Sequence, residues 1–178
     1  MRYAASVLGC LTCLGLAACG GDSGGERREA RAQTTTSESL PAAEYARRAD
    51  KLCRQEALKV LEARTQERLR RIQNSSASEE EQFRRAAPIL AEQLQIISEF
   101  RRRLELLGTP SAHRDDAERM VEKARSAEVE LERATEAAKA GDTAQVRESL
   151  VSYYGFASQS ASIARDSELN FAICGSGA

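Results

Sequence analysis

The sequence predicts an all-α domain, an up-down-up-down antiparallel four-helix bundle over residues 41–178. Three observations carry that expectation. Apolar residues recur at alternating steps of three and four, the period of one helix face. Helix-capping and helix-stopping residues fall between those runs. No segment shows the strict apolar alternation of a half-buried strand. A chain of 178 residues fits one domain. Four amphipathic helices joined by short turns must bury their apolar faces against one another, and antiparallel neighbours are the simplest arrangement that short turns allow.

The first helix is expected from Pro41 to Gln73, a stretch rich in Ala, Glu, Arg and Leu with no internal Gly or Pro. Glu44 with Arg48, Asp50 with Arg54 and Glu67 with Arg71 are acid-to-base pairs four residues apart, which support an isolated helix. Its apolar positions are Tyr45, Ala49, Leu52, Val60, Leu61, Leu69 and Ile72, and Asn74-Ser75-Ser76 closes it. The second helix opens on Ser78-Glu79-Glu80-Glu81, a capping box whose acids favour the positive end of the helix dipole. Phe83, Ala87, Leu90, Leu94, Ile97 and Leu104 form its seam, with Arg101 on the step between the last two. Pro88 removes a donor and crowds the carbonyl of Arg84, so a kink is expected there.

Gly108 is placed to end the second helix in the left-handed conformation, and Thr109-Pro110 to cap and begin the third. The third seam is the most regular: His113, Ala117, Met120, Ala124, Ala127, Leu131, Ala134 and Ala138. Gly141 stops it, and Asp142-Thr143-Ala144-Gln145 makes a second capping box. In the fourth helix Val146, Leu150, Tyr153, Ala157, Ser160 and Ala164 share one face.

Ahead of the helices, Arg2 is followed by a largely apolar run of 16 residues from Tyr3 to Ala18, where a spanning helix needs roughly 20. The run ends in Leu16-Ala17-Ala18-Cys19-Gly20. Those residues resemble the lipobox of bacterial lipoproteins, with an aliphatic residue, two small residues and the modified cysteine. The resemblance implies a signal peptide over residues 1–18 and cleavage before Cys19. It also implies a thioether-linked diacylglycerol on Cys19 and anchoring at the extracytoplasmic face of the cell membrane. Cys10 lies too early in the run for an adequate apolar core, and Cys13 has Cys10 where the aliphatic residue belongs. Residues 19–40 are then the lipidated cysteine and a flexible tether, too poor in apolar residues to order themselves. A random coil of that length holds the domain on the order of 25 Å from the bilayer.

Two cysteines remain, Cys53 and Cys174, and outside the cytoplasm such a pair is expected as a disulfide. Cys53 lies about 31 Å below the end where residues 74 and 142 meet, and a fourth helix reaching Leu169 descends about 41 Å. Asn170 tolerates the left-handed turn, and four extended residues span about 13 Å, so the tail can climb back to Cys53 with Phe171 and Ile173 covering the base. Tyr45 eight residues before Cys53, with Cys174-Gly175 near the C-terminus, is also similar to small helical lipoproteins of high-GC bacteria. That resemblance implies no particular activity.

Composition narrows the function. A net charge of −1, from 26 basic and 27 acidic side chains, gives no general attraction to nucleic acid. One histidine, His113, cannot furnish the paired Glu-x-x-His sets of di-iron bundles, a His-based zinc site or bis-His haem. It is expected as a solvated or half-packed residue beside Asp115 and Asp116. No Gly-rich phosphate loop follows a strand and no Gly-x-Ser-x-Gly elbow occurs. No catalytic residue, metal or cofactor is therefore expected. Arg101 falls on an apolar seam, as does Glu56 continued from Leu52; an exposed place at a splayed bundle end is expected ahead of an internal pair, with a ligand-contacting Arg as the third reading. The aromatic cluster Tyr153-Tyr154-Gly155-Phe156 is expected in the core, with Gly155 admitting a neighbouring helix, or as a partner patch. The expected role is a non-catalytic helical binding or interaction module of the cell envelope, held to the membrane through Cys19 and facing an envelope protein partner. The alternatives are a small-molecule carrier, or a cofactor-free hydrolase using Glu56 with Arg101 in a cleft opened at Pro88.

Overall fold

The computed structural model describes residues 39–62, 65–172 and 174, with side chains 56–62, 65 and 66 left aside. Cys10, Cys13, Cys19, the expected signal peptide, the expected tether up to residue 38 and Ile173 lie outside the described residues. Those described are all-helical: α1 (Ala42–Glu62), α2 (Thr65–Gln73), α3 (Glu79–Glu105), α4 (Arg114–Ala140) and α5 (Thr143–Asp166). None of these helices is long and apolar enough to cross a membrane.

The expected first helix is divided between α1 and α2, with residues 63 and 64 outside the description. Glu44 pairs with Arg48 at 2.6 Å, and Glu67 pairs with Arg71. Asp50 has a different role from the helix pair expected of it. Its two carboxylate oxygens accept from the backbone amides of Ala172 and Cys174, at 2.7 and 3.0 Å.

Ser78 caps α3 by accepting from the Glu81 amide at 3.4 Å, but the Glu81 carboxylate turns outward to Arg85, so only half of the capping box forms. The helix continues through Pro88, which faces solvent. There the carbonyl freed at Arg84 can be met by water, which is how an internal proline is accommodated. The buried stripe is also wider than expected, because Ala86, Ile89 and Gln93 join Phe83, Ala87 and Leu90.

α3 ends at Glu105, and Gly108 takes φ +74° as expected, two residues beyond the Leu106 cap. The third helix starts later than Pro110. Pro110 pairs with Leu40 in an isolated parallel bridge, and the Ser111 amide donates to the Leu40 carbonyl at 2.7 Å. α4 therefore begins at Arg114, behind His113 at φ 57°. The folded part reaches back to Leu40, inside the segment expected as tether. At the other end of α4, Gly141 at φ +80° donates to Ala138, and Asp142 donates to Ala137, a Schellman closure. Asp142 then accepts from the Gln145 amide at 3.0 Å to begin α5, which stops at Asp166 rather than Leu169. Asn170, at φ 55°, turns the tail back as expected.

Two cores result. The first gathers Leu69 of α2, Phe83, Ile89 and Leu90 of α3, Leu131, Ala134 and Ala138 of α4, and Val146 and Leu150 of α5. The second gathers Tyr45, Ala49 and Leu52 of α1, Leu104 of α3, Ala117 and Met120 of α4, Ala164 of α5 and Leu169 of the tail. Small residues let α4 and α5 approach closely, and Ser160 of α5 donates to the Met120 carbonyl of α4 at 3.1 Å. The side chains of Val60 and Leu61 lie outside the description.

Candidate functional site: a tail staple, a charged waist and a polar groove

Cys53 and Cys174 are joined by a disulfide with Cα atoms 5.4 Å apart, 121 residues apart in sequence. The bridge does not act alone. Asp50, one helical turn before Cys53, holds the two tail amides, and the Phe171 ring meets Tyr45 edge-on at 6.3 Å. Tyr45 is buried, its hydroxyl finds no hydrogen-bond partner among the described residues, and burial pushes its pKa up to about 12. His113 is exposed, with Nδ1 3.3 Å from Glu168 in the turn after α5.

Between the two cores the charged residues are organised. Arg101 does not sit at a splayed end. Its Nε donates to Glu128 of α4, and its Nη1 donates to Glu105 at 2.6 Å. Arg125 of α4 closes the set by donating to the other Glu105 oxygen at 2.6 Å. Arg101 and Glu128 are only 22% and 17% exposed at the side chain, so this is an internal pair of the kind a seam position demands. The hydrogen bond that Arg101 donates to Glu128 raises the Arg101 pKa, and those donated by Arg125 and then Arg101 lower that of Glu105. Glu56 belongs to α1, and its side chain lies outside the described residues. On the surface, Arg47 and Arg48 hold the Glu44 carboxyl down at about 2.

A groove of about 460 Å³ runs between α4 and α5. Asp116, Arg119 and Lys123 line one wall at helical steps of three and four, just beside the buried seam of Ala117, Met120 and Ala124. Ser158, Gln159 and Ser162 line the other, and Ile163 supplies an apolar patch. Asp116 accepts from Arg119 at 3.5 Å, while the Lys123 ammonium lies 5.5 Å from the centre of the Phe156 ring. The groove thus offers both signs of charge with hydroxyl and amide groups beside an apolar share from Ile163 and the side-chain stems, a mixed lining. Nothing in the sequence singled it out, because on one strand of text its residues read as an ordinary solvated helix face.

The aromatic cluster divides. Tyr153 and Tyr154 pack on the first core, with ring centres 5.0 Å apart, and burial pushes Tyr153 up to about 12. Gly155 is exposed, with open space where a side chain would stand, so no helix approaches there as the sequence suggested. Among the described residues no three His, Cys, Asp or Glu side chains gather as a metal site. No family model, curated protein or solved structure matches this chain.

Proposed function

We propose that this protein is a membrane-anchored lipoprotein of the cell envelope, a non-catalytic helical module that binds an envelope partner outside the cytoplasm. The observation that carries the reading is the Cys53–Cys174 disulfide. A bridge of that span belongs to an oxidising compartment, and the Leu16-Ala17-Ala18-Cys19 motif supplies the route there and a lipid anchor on Cys19. Residues 1–18 are removed as the signal peptide, and the chain from Cys19 to about residue 40 is the tether. The helices form an up-down-up-down antiparallel bundle, α1 and α2 together making its first helix. Support for that topology comes from the cores: α3, α4 and α5 each give residues to both, from opposite ends of successive helices.

The groove between α4 and α5 is the partner-binding face, since it joins fixed charges of both signs on two rigid helices. Arg101, the residue a hydrolase reading would use, has its guanidinium occupied by Glu128 and Glu105. The test is photo-crosslinking in native membranes from a reactive residue replacing Ser158, compared with one replacing Glu92, an exposed position of α3. A protein adduct formed from position 158 and missing from position 92 supports the reading. Equal labelling from both positions contradicts it, and capture of a small molecule at 158 replaces the partner with a carried ligand.

A further inference from the structure

The two ends of the helical domain are chemically unlike. At one end the turns are Asn74-Ser75-Ser76-Ala77-Ser78 and Gly141-Asp142, beside the acids Glu79, Glu80 and Glu81. At the other, the flanking helix turns are charged too, with Arg102, Arg103 and Glu105 before and Arg114, Asp115 and Asp116 after, but the connection itself, residues 106–113, reads Leu-Leu-Gly-Thr-Pro-Ser-Ala-His, with no Asp, Glu, Lys or Arg, in a chain of which 30% is charged. Leu106 is 72% exposed, the most exposed of the large apolar residues described. It caps α3 in the helical conformation, two residues past the seam position of Leu104 and just before Gly108 turns the chain, so its side chain projects away from the core that buries Leu104. An exposed leucine at the start of an uncharged loop gains nothing from water.

That loop is also where the chain from Cys19 arrives. The Ser111 amide donates to the Leu40 carbonyl at 2.7 Å, and Leu40 pairs with Pro110. The segment between Cys19 and Leu40, only 20 residues, therefore ends at the apolar loop itself. From this coincidence we infer that the 106–113 loop is a second membrane contact. Leu106 enters the boundary between headgroups and acyl chains, and the domain stands with the polar turns at 74–78 and 141–142 directed away from the bilayer. The inference rests on the lipid anchor at Cys19. One leucine is too small a contact to hold a free protein on a membrane, but a short tether raises the local concentration of bilayer to the millimolar range, where weak contacts are occupied.

The chain has no tryptophan, so a single one reports its own surroundings. Leu106→Trp and Ser76→Trp, each in the full chain extracted from membranes, are reconstituted into phosphatidylcholine vesicles brominated on the upper acyl chain. The expected result is a blue shift and loss of emission at position 106, with neither at position 76. Equal emission at both positions on vesicle-bound protein overturns the second contact and leaves the anchor standing. Protein that fails to float with the vesicles overturns the anchor and the contact together.

Discussion

At the scale of single residues, the second core holds an unusual occupant. Tyr45 is buried with a hydroxyl that finds no partner among the described residues, while its ring is needed against Phe171. Tyr45→Phe keeps the ring and removes the orphan group, so it is expected to leave the fold intact and raise its stability by up to about 1 kcal/mol in urea unfolding. The alkaline side follows from the same burial. The folded pKa of about 12 lies above the ordinary value of 10, so the stabilisation from keeping Tyr45 and Tyr153 neutral is complete below pH 10. It is lost as the pH rises towards 12, and Tyr45→Phe should blunt that loss. The sequence placed Tyr45 in the core from its spacing to Ala49 and Leu52, but spacing carries no information about whether a hydroxyl finds a partner. For Asp50 it pointed to Arg54, four residues on, because the tail that uses its oxygens is 122 residues away.

At the scale of elements, the punctuation was more legible than the boundaries. Gly108, Gly141 and Asn170 all take the left-handed conformation their positions suggested, because that conformation is intrinsic to few residues and local in origin. The start of α4 was misplaced by four residues at Thr109-Pro110, since Pro110 is held by Leu40, a long-range pairing that local preference cannot express. The two glycines also differ in a measurable way. An added Cβ at Gly108 meets open space, whereas at Gly141 it comes within 2.8 Å of Arg84 Nη2 and 2.9 Å of Glu80 Cγ. Gly108→Ala should therefore cost about 1–2 kcal/mol from backbone strain alone. Gly141→Ala should cost more in the same thermal unfolding assay, because the Arg84–Glu80 ion pair must also move aside. Equal losses would show that the side chains give way freely.

For the whole molecule, the seams of α3, α4 and α5 were readable because burial follows a 3.6-residue period. The waist was not: the seam position pointed to a splayed end for Arg101, and nothing local to α3 announces Glu128 of α4, whose carboxylate makes it an internal pair. The groove was invisible for a related reason: its walls lie on two helices and neither is distinctive alone. The Cys53–Cys174 pairing was legible from counting and helix lengths, even though α5 ends earlier than expected. Cys53→Ser with Cys174→Ser should lower stability by about 2–5 kcal/mol, and in native protein without reduction neither thiol should react with an alkylating agent. The central claim is that this stapled domain is held outside the cytoplasm by lipid on Cys19, and intact mass of unreduced protein from the membrane fraction tests it most directly. The predicted species begins at Cys19, carries a diacylglycerol, and is lighter by the two hydrogens of one disulfide. A water-soluble chain with an unmodified N-terminus after Ala18 would contradict it.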